Sequence, residues 1–226
     1  MAFDATAGLS SAGAGPFSWA HTCTGSDLVL VVSVSYFDAS DVITAVTYNS
    51  VAMTQCGSAT NGSYNVYQYY LVNPATGSNN VSVSFSGTIS DFGGTSISWT
   101  SIDQVTPVGT TATATGTDTT PTVNVSSAAS ETVIDALVIV HGGTLSVGAG
   151  QTQRQNAIGG NGFLKYASSS EGGAGTTTMS WSNSSSQAWA IVATPFKPAS
   201  GATGQPLVKR LSGTPHVSLS TLRGVW

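Results

Sequence analysis

The only imidazoles in the 226 residues are His21, His141 and His216. A Ser–His–Asp hydrolase needs one of them oriented by an acid and set beside an exposed hydroxyl. Serine is so frequent here that closeness in sequence carries no information, and no GxSxG elbow is present. His141 is followed by Gly142 and Gly143 at the end of a predicted strand, which reads as the start of a turn. Asp38 and Asp41 sit in YFDASDV. A DxxD loop of this kind can bind Ca²⁺ with help from carbonyls, and it is equally ordinary turn chemistry. Asp103 in SIDQVTP reads as a turn cap that ends its strand. A glycosidase needs two carboxylates facing each other across a cleft, and no pattern joins the sparse acids into such a pair. Cys23 and Cys56 are two thiols without a CxxC or a nearby His. Buried free thiols and a disulfide between them both remain open. No catalytic residue, metal ligand or cofactor is assigned, and the chain reads as a non-enzyme.

The elements that would position these side chains are strands. Charged residues make up 7% of the chain, against roughly 25% in an ordinary soluble domain. Ser, Thr, Asn and Gly supply the polarity instead. With 40% hydrophobic residues, the composition is that of a packed domain and not of a disordered chain. SDLVLVVSVSY (26–36) begins as a continuous apolar run and then alternates, as expected of a central strand. VITAVTYN (42–49), YNVYQYYLV (64–72), VSVSFSG (81–87), TSISWTSI (95–102), TVIDALVIV (132–140) and QAWAIVATPF (187–196) continue the pattern. Roughly a dozen strands separated by Gly, Asn, Ser and Pro predict an all-β, jelly-roll-like β-sandwich.

The chain also resembles itself. SDLVLVVSVSY matches SETVIDALVIV (130–140), Asn61-Gly62 matches Asn161-Gly162, and VSVSFSG matches TTMSWSN (177–183), in the same order. This predicts two pseudo-repeated Greek-key halves that together complete one sandwich, with two independent domains of about 100 residues as the alternative. That sandwich is expected over residues 1–198, with an extended docking tail over 199–226.

Charge is distributed unevenly. Nine of the ten acids precede Arg154, where there is no Lys or Arg, so that stretch carries a formal −9. From Arg154 onward six cations face Glu171 alone, a formal +5. An acidic body excludes a nucleic-acid-binding role. No run reaches the roughly 18 apolar residues of a membrane helix, and MAFDATAGLS lacks the basic and apolar regions of a signal peptide. The chain is therefore expected to start near Met1 and fold in a cytoplasm. The tail carries Leu207, Lys209, Arg210, Leu211, Arg223 and Trp226, among other apolar points, and no acid. An apolar, basic extension on an acidic body predicts a partner-binding segment. Tyr64, Tyr67, Tyr69 and Tyr70 crowd one strand. Alternation puts Tyr64 and Tyr70 on one face and Tyr67 and Tyr69 on the other, so at least one face is expected to offer tyrosine to solvent or to a partner.

The body, in the strands quoted above, resembles the Ser/Thr/Gly-rich β-sandwich proteins of tailed-phage virions and bacterial surfaces. The ending LVKRLSGTPHVSLSTLRGVW is similar to short C-terminal extensions of phage structural proteins. The resemblance implies a virion protein of the capsid-decoration type, assembled in the host cytoplasm as a homotrimer. It would be attached by its tail to the major capsid protein or another virion subunit, with no nucleic-acid or membrane partner. A glycan-binding or adhesin-like module using the tyrosine faces is the alternative.

Overall fold

Phe17, Trp19, His21 and Cys23 alternate with Ser18, Ala20 and Thr22, and burial follows: every odd residue is buried and every even one exposed. This is the period-2 signature of a strand with one face on a core. TVIDALVIV does the opposite, with Val133–Ile139 buried without a break. A strand buried on both faces must lie between two layers, and the architecture supplies them.

The computed structural model describes residues 1–39 and 43–199. Among these there is no helix, and seventeen strands form four antiparallel sheets. The first half contains β1 (Ala2–Ala14), β2 (Phe17–Cys23), β3 (Val29–Phe37), β4 (Ile43–Tyr48), β5 (Val51–Ala52), β6 (Thr54–Asn61), β7 (Tyr64–Val72), β8 (Gly77–Phe85) and β9 (Thr88–Thr100). The second contains β10 (Ala112–Asp118), β11 (Thr122–Ser127), β12 (Thr132–Val140), β13 (Leu145–Val147), β14 (Thr152–Ile158), β15 (Leu164–Gly172), β16 (Gly175–Asn183) and β17 (Gln187–Phe196).

The first half builds a sheet β1-β9-β3-β7-β6 and a sheet β2-β8-β4-β5. The second builds β10-β17-β12-β15-β14 and β11-β16-β13. Strand for strand, in chain order, these are the same topology, with β5 the one addition. It is the jelly-roll order: the first, last, third and sixth strands share one sheet, and the second, seventh and fourth share the other. In the first half the fifth strand is divided. β5 stays beside β4, and after Met53 the chain crosses as β6 to the far edge beside β7.

The sequence reading had the two halves completing one sandwich between them. The all-β sandwich, the jelly-roll order and the repeat are all present, but each half closes its own pair of sheets. The core of the first roll gathers Phe17, Trp19, Leu30, Tyr36, Tyr67, Val81 and Phe92. That of the second gathers Val125, Leu137, Ile139, Met179, Trp181 and Ile191. The two five-stranded sheets then stack face to face. Their seam holds Val66, Ala136, Val138, Tyr166 and Val192 at one end and Val31, Ile97, Trp99, Ile134 and Phe196 at the other. The result is four layers. The inner two are covered on both faces, which is why β3, β12 and β17 carry continuous apolar runs in sequence. Each fully buried aliphatic or aromatic side chain here contributes roughly 1.5–3 kcal/mol.

Strands β1, β2, β13 and β14 escape the sequence reading. β2 is short. β1 has no Val, Ile, Tyr or Trp and pairs with β9 through two irregularities in register, so its small, bulged edge carries little strand signal.

Candidate functional site

Burial takes His21 out of the catalytic candidates. His21 on β2 is 1% exposed and lies inside a directed hydrogen-bond chain. Trp19 Nε1–H donates to Ser96 Oγ at 2.9 Å, which leaves the Ser96 proton for His21 Nδ1 at 2.9 Å. His21 Nε2–H then donates to Ser98 Oγ at 2.9 Å, and Ser98 donates to the Asp4 carboxylate at 2.6 Å. The order is Asp–Ser–His, with the serine in the middle. In a triad the imidazole stands between acid and hydroxyl and takes the nucleophile's proton. Here both hydroxyls are spent within the fold. Burial lowers the His21 pKa to about 4 against the pull of the Asp4 carboxylate, so the ring is neutral. Burial raises the Asp4 pKa, but the hydrogen bonds from Ser98 and Thr24 outweigh it and the group sits below the usual range. The network ties β1, β2 and β9 together.

His141 is exposed, and its Nδ1 lies 2.8 Å from Gly162 O. His216 lies outside the described residues. Asp103 Oδ1 accepts the N–H groups of Val105 and Thr106 at 2.8 and 3.1 Å, the turn cap read from the sequence. Asp41 lies outside the described residues, and no group of three His, Cys, Asp or Glu suited to a metal occurs among those described. Cys23 and Cys56 are both free thiols. Burial raises both, Cys56 to about 12.

Asp135 and Asp91 are the acids that sequence reasoning missed. Asp135 on β12 is fully buried in the second core. It accepts Ser169 N–H at 2.5 Å and Trp181 Nε1–H at 2.7 Å. Burial pushes its pKa up to about 7, although both hydrogen bonds oppose this. Asp91 on β9 belongs to the first roll, yet it accepts three backbone N–H groups of the β14–β15 turn. Asn161 donates at 2.9 Å, Phe163 at 2.7 Å and Leu164 at 3.0 Å, and Phe92 N–H adds a fourth at 3.0 Å. A carboxylate held by several N–H groups makes a strong charge-assisted clamp. The one hint in the sequence is an acid standing before Phe92-Gly93-Gly94.

The tyrosine expectation is corrected. Tyr67 and Tyr69 are buried in the first core. Tyr64 and Tyr70 are half-buried and pack into the two ends of the seam. The alternation holds, but β7 lies in an inner layer, so one roll covers one face and the other roll covers the other. Tyr67 and Tyr69 are not surface aromatics, and Tyr64 and Tyr70 keep part of their surface open at the ends of the seam. The proposed tail contacts Leu207, Lys209, Arg210, Leu211, Arg223 and Trp226 lie outside the described residues.

The surface belongs to the two outer sheets. On β2 and β8, Ser18 faces Ser82, Ala20 faces Asn80 and Thr22 faces Ser78, with Thr47 of β4 on the other side of Ser82. On the second roll, Thr122 faces Ser180, Asn124 faces Thr178 and Ser126 faces Thr176. Both faces are uncharged hydroxyl and amide surfaces. On the first roll a groove of about 550 Å³ opens over Ser18, Thr47, Asn80 and Ser82 beside the turn at Asn49 and Ser50.

No family model, no curated protein and no solved structure matches the chain.

Proposed function

We propose that the chain is a non-enzymatic structural protein of a phage particle. It decorates or cements the capsid, and its C-terminal tail fixes it to the major capsid protein or another virion subunit. The carrying observation is where the ionisable groups go. Asp91 clamps the two rolls together, and Asp4 and Asp135 are hydrogen-bonded inside the fold. Arg154 of β14 stacks 4.0 Å over the Phe3 ring and 5.2 Å from Trp99. Lys165 donates to Gly143 O. A body that buries Asp91 and Asp135 and turns uncharged outer-sheet faces outward suits an inert, protease-resistant block. Three of the six cations, Lys209, Arg210 and Arg223, stand in the tail, the segment that this reading assigns to attachment. A homotrimer in the virion fits the same reading.

The test is mass spectrometry of purified particles. Trypsin releases LSGTPHVSLSTLR (211–223) as a reporter. Copy numbers comparable with the major capsid protein are expected, and absence of the peptide from particles overturns the reading. A chain ending at Ala199, whose N–H still reaches Ser101 O at 2.8 Å, should fold with an unchanged Tm and no longer bind particles. A glycan-binding module is the second reading. With the tyrosines packed into the first core and the seam, its support moves to the groove on the outer sheet.

A further inference from the structure

We propose that the groove on the outer face of β2, β8 and β4 binds a neutral saccharide. Its floor is a row of three hydroxyls from three adjacent strands: Ser18, Ser82 and Thr47. One wall is the turn at Asn49 and Ser50. Both residues take left-handed backbone, with φ of 48° and 64°, so the turn is pinned by its own geometry. Asn49 N–H is also tied to Asn80 O at 3.0 Å. Below the sheet, Tyr48 Oη lies 3.2 Å from His21 O and 3.1 Å from Ala75 O, and it accepts from Asn79 Nδ2 at 3.4 Å. The groove is thus built on paired strands and a buried anchor.

The second roll provides an internal comparison. Its matching face satisfies several of its own polar groups. Thr178 Oγ1 donates to Asn124 Oδ1 at 2.7 Å, Thr122 Oγ1 to Thr120 O at 2.9 Å, and Ser180 N–H and Oγ–H both to Gln151 Oε1. On the first roll, the side chains of Thr47, Asn49, Ser50, Asn80 and Ser82 make no hydrogen bond to a described residue, while Ser18 donates inward to Val81 O at 2.9 Å and Asn79 Nδ2 to Tyr48 Oη at 3.4 Å. Two copies of one topology therefore differ in that one uses Thr122, Thr178 and Ser180 in bonds within its own roll and the other presents Thr47, Asn80 and Ser82 around a concavity.

Ligand chemistry follows from the lining. Amide and hydroxyl groups both donate and accept, as sugar hydroxyls do. No charged side chain lines the groove, so an anionic or cationic ligand would lose water without gaining a counter-charge. At 550 Å³ the groove falls within the usual range for small ligands, about 300–1,000 Å³. With no aromatic side chain to stack on, single-site affinity is weak, and copies arrayed on a particle would gain avidity.

The experiment uses the full chain and soluble neutral trisaccharides (maltotriose, cellotriose, chitotriose and mannotriose), with a sialylated trisaccharide as the charged probe, read by ligand-observed NMR. Binding of at least one neutral trisaccharide is expected. N80A/S82A should weaken it by about tenfold or more. N124A/T178A, on the equivalent face of the second roll, should leave it unchanged. Ser82→Trp, which fills the floor, should abolish it, and thermal melts check that all variants fold. The proposal is overturned by no neutral saccharide binding, by binding confined to the charged probe, or by binding that neither N80A/S82A nor Ser82→Trp reduces. Particle association, scored by the 211–223 peptide, is independent of these outcomes.

Discussion

Asn61 and Asn161 occupy matching hairpin turns and reach in opposite directions across the seam. Asn61 Nδ2 of the first roll donates to Gly116 O and Trp189 O of the second, at 2.8 and 3.2 Å. Asn161 Nδ2 of the second donates to Ser90 O of the first, at 2.9 Å. Each turn lands on the last strand of the other roll. This reciprocity is what a two-fold interface between identical subunits looks like, and here the two subunits are halves of one chain. The halves differ where Asp91 adds a carboxylate under the Asn161 turn.

Asp91 should therefore set the strength of the seam. Asp91→Ala leaves four N–H groups without their acceptor and should cost about 2–4 kcal/mol in urea unfolding. Asp91→Asn keeps one acceptor oxygen and should lose less. If Asp91→Ala unfolds at the wild-type urea midpoint, the clamp contributes nothing to stability.

Gly93 and Tyr166 form a second lock. A Cβ on Gly93 would lie 2.0 Å from Tyr166 Cδ1, so the absence of a side chain on β9 lets the Tyr166 ring lie flat against the sheet. Tyr166 Oη also meets Ser10 Oγ at 3.0 Å. Gly93→Ala should destabilise by about 1–3 kcal/mol or more through overpacking. Tyr166→Ala alone opens a cavity and should cost about 3–5 kcal/mol. The double variant should lose at least about 1 kcal/mol less than the sum of the two. Strict additivity would mean that the two residues do not share the space.

Two buried groups titrate with opposite signs. His21 is lowered to about 4, so its contribution is complete above the unfolded value near 6.5 and is lost as pH falls toward 4. Asp135 is raised to about 7, so its contribution is complete below the unfolded value near 3.8 and is lost as pH rises through 7. Between pH 4 and 6.5 the two slopes, each at most about 1.4 kcal/mol per pH unit, oppose one another and stability should be nearly flat. Asp135→Asn should expose the His21 slope, with stability rising with pH across this window. His21→Gln should expose the Asp135 slope, with stability falling. The lowered groups Asp4 and Asp103 act below the window. Denaturant titrations at four or five pH values decide the matter, and parallel curves for wild type and both variants would refute it.

The sequence by itself determined the strands and their repeat. Period-2 alternation fixes which face of VSVSFSG or FSWAHTC is apolar, because a strand has only two faces. Two Asn-Gly turns at matching places mark the hairpins, because positive φ is cheap only for a few residue types. The chain's order also showed that Tyr67 and Tyr69 face away from Tyr64 and Tyr70. Only the tertiary structure decided what lies against those faces. Alternation says that a side chain points up or down; it does not say whether water or another sheet is above it. The stacking of two rolls packed Tyr64 and Tyr70 into the seam, turned β3 and β12 into inner-layer strands, and made Asp91 the acceptor for N–H groups some 70 residues away. It also left Asn80 and Ser82 around an open groove, whereas Thr178, the counterpart of Ser82, donates to Asn124. Sequence proximity cannot encode such long-range pairings, because they depend on how whole sheets are placed and not on the residues beside them in the chain.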